Sequence, residues 1–239
     1  VHATAIIIAD VDFSTRSYQQ ELLDRDDIPD EDIRRNMQEL NIINTWLGGH
    51  AITLRGIRAF VHNKSNLVIC EIGCGGGDNL AAIARWCRRC GIAAHFIGID
   101  HNPYCIAVAK ERLHNVNARF FTADYRQVHF DEPPDIIFSS LFCHHFTETA
   151  LVSQLQWMQQ QARLGFFIND LHRHPVAYYA IRWLTAAFSR SYLVKHDAPL
   201  SVLRGFTRKE WQMLLHKAGI GTFSVRWQWA FRWLVTAER

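Results

Sequence analysis

Leu67-Val-Ile-Cys-Glu-Ile-Gly-Cys-Gly-Gly-Gly-Asp-Asn-Leu80 restricts the fold of this chain more than any other stretch. Residues 67–72 are an apolar run broken only by Glu71 and read as a buried strand. Gly73, Gly75, Gly76 and Gly77 then turn the chain into a helix that starts near Leu80, with Asp78 or Asn79 as its cap. Lacking Cβ atoms, such a turn reaches positive φ and lets a ligand lie against backbone N–H groups at a helix N-terminus. A bound ligand is implied.

From this strand onward, strand and helix signals alternate, which predicts a parallel sheet with helices on both faces. A helix over 80–90 ends at Gly91; a strand His95–Asp100 precedes Asn102-Pro103, a cap and first-turn pair for a helix at 103–114. Further strands are expected at 118–123, Asp135–Phe142 and Phe166–Asp170, with Thr147 capping a helix over 148–163. Thr207-x-x-Glu210 is a capping box for a helix at 208–218, and 221–237 reads as a closing hairpin around Trp229-Ala230-Phe231. Upstream, residues 14–63 read as helical. Pro29 with three acids opens a helix that Gly48-Gly49 ends, and a second runs from His50 to Val61. This pair either covers a sheet edge or forms a lid over the glycine turn. Residues 1–13 are expected to be a poorly ordered tail.

Composition excludes several classes of protein. The 239 residues suffice for one sizeable core, and 49% hydrophobic with 21% charged residues is ordinary for a soluble domain. The formal charge of +3 is scattered rather than gathered, so neither nucleic acid nor an integral membrane contact is expected. The apolar stretch Ala5–Ala9 is far short of the roughly 20 residues of a membrane span and lacks the basic leader of a signal peptide. Six cysteines spread through predicted strands and helices point to reduced thiols and a cytoplasmic setting. Cys87-x-x-Cys90 has no partner pair for zinc and reads as helix packing.

Two ligand classes compete for the glycine turn. A dinucleotide fingerprint needs a third glycine where this chain has Asp78. The pattern present, Glu71-x-Gly73-x-Gly75-x-Gly77, is followed by Asp100 and Asp124 at the ends of the next two strands. In this form it resembles the first motif of class I S-adenosylmethionine-dependent methyltransferases. The resemblance implies a Rossmann-like, doubly wound, mostly parallel seven-stranded α/β sheet with a C-terminal antiparallel hairpin and an N-terminal helical lid. Residues 1–63 would be tail and helical cap, and 64–239 the methyltransferase domain with a substrate-side insertion at 171–205. It also implies that S-adenosylmethionine is held by Glu71, Gly73, Gly75, Gly77, Asp100, His101, Asp124 and Tyr125. Asp100 would accept the ribose hydroxyls, Asp124 the adenine amino group, and Tyr125 would stack on the base.

Methyl transfer from a sulfonium leaves the protein to orient an acceptor and remove a proton. No Asp/Asn-Pro-Pro-Tyr/Phe follows the fourth strand, which disfavours methylation of nucleic-acid amines; Glu132-Pro-Pro-Asp135 precedes that strand, at the wrong end of the sheet. His144 and His145 do follow it, and imidazole is a suitable base for a hydroxyl. His172, after the fifth strand, is a further base candidate, and His196-Asp197 a weaker one. Asn169, Asp170, His144, His145 and His172 also offer metal ligands, but the family's metal pattern places an aspartate after strand four, so no metal is expected. Glu21-Leu-Leu-Asp24, Arg35–Leu40, Leu47–Gly49, Asn169–His174 and Arg204–Thr207 resemble bacterial small-molecule methyltransferases associated with type III polyketide products. That resemblance implies O-methylation of a small phenolic or quinol-like acceptor, for which the aromatic insertion would provide an apolar pocket. C-methylation of a quinone precursor, or a non-catalytic S-adenosylmethionine-binding module, remain alternatives, and oligomeric state is open.

Overall fold

The computed structural model describes residues 11–25, 27–61 and 64–239; residues 1–10 of the expected tail lie outside that range. The strands are β1 (Asn66–Ile72), β2 (Ala93–Asp100), β3 (Ala118–Thr122), β4 (Ile136–Ser140), β5 (Gly165–Leu171), β6 (Phe223–Gln228) and β7 (Arg232–Glu238). They form one sheet in the order β3-β2-β1-β4-β5-β7-β6, parallel from β3 to β5 and antiparallel in the C-terminal pair, as expected. β1 lies at the centre, and residues 67–72 are all buried because helices cover both faces. Its start is held by Asp135, whose carboxylate accepts from Val68 N at 2.8 Å.

The helices are α1 (Asp30–Trp46), α2 (Gly49–Arg58), α3 (Asp78–Arg89), α4 (Pro103–Arg112), α5 (Glu148–Gln161), α6 (Pro175–Phe188), α7 (Tyr192–Arg204) and α8 (Arg208–Lys217). One face of the sheet buries Cys70, Ile97, Ile137 and Val235 against Leu155 and Met158 of α5 and Trp211 and Leu215 of α8. The other buries Leu67, Ile69, Phe138 and Phe167 against Ile52 and Ile57 of α2 and Leu80 and Ile83 of α3. Phe138 and Phe167 stack across neighbouring strands, ring centroids 4.8 Å apart. The sequence caps form where expected: Asn102 accepts from Tyr104 N at 2.9 Å, and Thr207 and Glu210 complete their reciprocal box.

Several boundaries differ from expectation. Residues 14–25, 27 and 28 are not α-helical. Only Leu22–Asp24 makes a single 3₁₀ turn, since this stretch lacks apolar periodicity and Pro29 disfavours helix in the residue before it. The chain instead runs over the molecule, held by long-range contacts: Arg16 donates to Arg204 O at 2.9 Å, and Leu22 N and Leu23 N donate to the Asp197 carboxylate at 2.9 and 3.0 Å. Phe13 meets Tyr178 edge-on and its carbonyl accepts from Arg173. The strand expected at 135–142 stops at Ser140, because Leu141 turns out at φ +54°. The stretch 171–205 holds two helices, α6 and α7: Ser191 caps α7, which contains Pro199.

Candidate active site

β1 sits where the strand order reverses, between β2 and β4, and open α/β sheets hold ligands in the crevice at the carboxyl ends of strands beside such a point. Two glycines of the turn have separable reasons. At Gly77 (φ +71°) an added Cβ would lie 2.7 Å from Leu113 Cδ1 and 3.1 Å from Ala109 Cβ, so its absence brings α4 against the turn. This is the packing role that a dinucleotide fingerprint assigns to a glycine one position later. Gly75 (φ +49°) has open space where its Cβ would stand. That space belongs to a cavity of about 860 Å³ lined by the turn, Glu71, Asp100, Asp124 and Tyr125. α3 begins at Asp78 with Gly77 as its cap residue and no side-chain cap, in place of the Asp78 or Asn79 cap expected; Asn79 turns inward instead. The helix N-terminus is thus left to a ligand.

Each predicted donor-side residue has a definite place. Asp100 accepts from Gly75 N at 2.9 Å and Asn102 N at 3.0 Å, so it ties the turn to β2 while retaining acceptor capacity toward the cavity. Glu71 is fully buried; Asn79 donates to Oε1 at 3.0 Å, and Oε2 has no partner. Burial first, and then the neighbouring Asp78 carboxylate, push its pKa well above the usual carboxylate range. Asp124 is held by Arg126, which together with the hydrogen bonds it makes keeps that carboxyl below its ordinary value against the smaller effect of burial. Tyr125 packs edge-on to Trp157 with centroids 4.9 Å apart, and burial raises its hydroxyl to about 12. His101 lines the cavity and is otherwise exposed.

Ionisation of Glu71 therefore opposes folding. Its contribution is fully favourable below the unfolded value of 4.5 and is lost as pH rises through the elevated folded value. Glu71→Gln keeps an acceptor for Asn79 and removes the charge. Thermal unfolding should show the variant gaining stability relative to wild type as pH rises from 4 to 8; a pH-independent difference between the two would show that Glu71 does not titrate in this way.

The histidines after β4 form the opposite side. His144 is buried, with Nδ1 2.7 Å from Asp170 Oδ1 and Nε2 3.6 Å from Glu21 Oε1. His145 lines the cavity, with Nδ1 3.1 Å from Asp24 Oδ1 and Nε2 3.8 Å from Glu21 Oε2. The two rings lie 4.4 Å apart, and the backbone carbonyls of both residues accept from the Arg204 guanidinium. Asp170 also accepts from Phe142 N and Cys143 N, which fixes the turn that carries the histidines. Burial works against the charge on Asp170, but His144 and these hydrogen bonds outweigh it and hold the carboxyl below its ordinary value. Burial raises Glu21, partly countered by His145, Ser201 and Arg204.

His172 does not line this cavity. It packs on Trp233 at 4.8 Å, and burial with the nearby His174 and Arg173 lowers it to about 4. His196 pairs with Asp197, which caps the 3₁₀ turn. The ligand set considered from sequence is likewise not assembled: Asn169 donates to Gly49 O and Thr53 Oγ1. Glu21, His144 and His145 are instead the three groups whose ligand atoms lie within 4.8 Å of one another, close enough to share an ion. Arg204 Nε, 3.7 Å from Glu21 Oε1, already supplies positive charge there.

Sequence reasoning offered the N-terminal helices as a lid over the glycine turn but did not identify the α1 residues that line the cavity, Ile33, Asn36, Met37, Leu40, Asn41 and Asn44. It also missed His50, which joins Asn79 and Asn41 at 3.0 and 3.2 Å. The functional signal for α1 is weak because its inward face mixes asparagines with apolar residues. For Glu21 and Asp24 the signal was the short Glu-Leu-Leu-Asp motif.

Residues 69–165 match the protein family described as a methyltransferase domain. No curated protein matches the chain by sequence. Among solved structures, the plantazolicin methyltransferase BpumL in complex with SAH is 16% identical, with TM-score 0.67 over 89% of this chain and 91% of that one. A SAM-dependent methyltransferase from Aquifex aeolicus is 18% identical, with TM-score 0.57 over 78% and 88%. Human N-acetylserotonin methyltransferase in complex with SAM is 16% identical, with TM-score 0.61 over 88% and 56%. The chain spans 66% and 59% of two further matched structures, from Bordetella parapertussis and Nostoc punctiforme. At these identities the likeness is one of fold.

Proposed function

We propose that this chain, whose residues 69–165 match a methyltransferase domain, transfers a methyl group from S-adenosylmethionine to the hydroxyl of a small phenolic or quinol-like acceptor, with His145 as the general base. One observation carries this reading: a single cavity joins the glycine turn and strand-end acids on one wall to His145 and Asp24 on the other. The residues fit the donor. The unfilled space at Gly75 admits a ligand against the backbone, the uncapped N-terminus of α3 suits a carboxylate, and Glu71 Oε2 is a buried acceptor without a partner. Asp100 would hold the ribose hydroxyls, with Asp124 and Tyr125 at the adenine. S-adenosylmethionine, when bound, supplies a methyl group already activated as an electrophile.

The protein's part is then orientation and proton removal. Leu23, Met37, Leu40, Phe142 and Phe146 line the cavity and provide an apolar seat for a flat acceptor. Asp24 would accept from His145 Nδ1–H, which leaves Nε2, 3.8 Å from Glu21 Oε2, as the nitrogen that takes the acceptor proton. In the transfer the acceptor oxygen would take the methyl group as the S–CH₃ bond breaks, its electron pair staying on sulfur so that S-adenosylhomocysteine leaves, and the hydroxyl proton would pass to His145 Nε2. Asp170 and His144 position this turn. α1, along the cavity's side, acts as its cover.

The test is turnover of a panel of phenols and quinols with isotopically labelled methyl donor, read by mass spectrometry, with NMR locating the methyl group. An O-methyl ether is expected; a C-methylated product would replace the acceptor assignment, and donor binding without any turnover would favour a non-catalytic module. Because Arg204 already offsets the charge of Glu21, turnover should survive EDTA. Loss of activity in EDTA with recovery on adding a divalent ion would make Glu21, His144 and His145 a metal site instead.

A further inference from the structure

Helix α6 is built inside out. Of its 14 residues only Ala177 and Thr185 are buried, whereas Val176, Tyr179, Trp183, Leu184 and Phe188 are exposed, Trp183 at 75% and Phe188 at 81%. A helix that merely packs on the sheet would bury its large side chains and present small or polar ones. The spacing 176, 179, 183 and 184, 188 puts these side chains on one broad face.

The charge carried by this stretch of chain is positive. Residues 175–195 contain no acid and three exposed cations, Arg182, Arg190 and Lys195. The acids that approach are Glu39, occupied by the backbone of Arg190 and Ser191 and by the Ser189 hydroxyl, and Asp32, which Tyr192 reaches at 3.4 Å. Glu39 thereby joins α1 to the turn after α6, and one and two turns further along the same α1 face stand the exposed Ile42 and Trp46.

We propose that α6 is a peripheral membrane-docking element that lies in the interface of an anionic lipid bilayer. Trp183, Leu184 and Phe188 enter the headgroup–acyl boundary, and Arg182, Arg190 and Lys195 meet lipid phosphates. At 14 residues the helix is too short to span, and no helix among the described residues is long and apolar enough to do so; its exposed aromatics, with Arg182 on the helix and Arg190 and Lys195 beyond its end, suit an in-plane anchor. A protein partner would also bury the aromatics, but the lack of any acid over 21 residues matches a continuous anionic surface.

The experiment is co-sedimentation of the full chain with phosphatidylcholine vesicles and with vesicles containing about 30% phosphatidylglycerol, the anionic component that attracts basic segments. Binding to the anionic vesicles at least about tenfold tighter is expected, weakened by salt, with a blue shift of tryptophan emission. The double variant Trp183→Ser/Phe188→Ser, exposed in the free protein and so compatible with folding, should lose that binding and the blue shift. Equal binding of variant and wild type, or no sedimentation with either vesicle, would overturn the proposal. So would a dimer in light scattering that the same variant dissolves, since the face would then be a contact between two copies.

Discussion

His145→Ala is expected to lower kcat by about 10²- to 10⁴-fold, the usual contribution of a positioned general base, with affinity for S-adenosylmethionine unchanged. The side chain lines the cavity opposite the glycine turn, so its removal leaves Asp100 and Gly75 untouched. The carbonyl of residue 145 still accepts from Arg204 at 2.9 Å, and the turn keeps its backbone anchor. Steady-state kinetics beside calorimetric titration of the donor separate the two effects. Turnover within about threefold of wild type would remove His145 as the base, and weakened donor binding would place it on the wrong side of the cavity. Asp24→Asn should follow the same direction with a smaller loss, since it disturbs only the orientation of the ring.

Asp170→Ala should destabilise the protein by about 3–5 kcal/mol, because a buried charge partner is removed from groups that stay buried. The carboxylate accepts from Phe142 N, Cys143 N and Leu171 N and pairs with His144 Nδ1, all within 3.2 Å. For a chain of 239 residues that loss is about 6–20 °C in Tm, by scaling with unfolding entropy. The folded pKa lies below the ordinary value of 3.8, so the stability Asp170 provides is complete above that value and is lost as pH falls through the folded one. Chemical unfolding of Asp170→Ala and wild type should accordingly converge in strong acid; a gap that persists there would assign the loss to packing.

The β-α alternation, the caps at Asn102 and Thr207 and the closing hairpin were readable because each rests on local chemistry: hydrophobic period, a side chain that bonds its own helix start, a turn residue. The glycine turn was readable for the same reason. What local signals did not show was the route of residues 11–28. That segment has no period, and its path is set by partners 175 to 188 residues away, among them Arg204 O and the Asp197 carboxylate. The helical assignment there failed on this account.

Glu71 lies near the end of β1, Asp100 ends β2 and Asp124 follows β3, and the alternation makes these strands parallel, so the sequence by itself determined that the three acids would stand at one end of the sheet. It likewise determined that the turn would be open to a ligand, since glycines take the positive φ found at 73, 75 and 77 at least cost and carry no side chain into the cavity. Tertiary structure alone decided which histidine faces that cavity. His144 and His145 are neighbours in sequence, yet Asp170 draws one into the protein while Asp24, from a segment without regular structure, holds the other at the cavity wall. Pairing energies of this kind depend on burial and on groups more than a hundred residues distant, which no local pattern encodes.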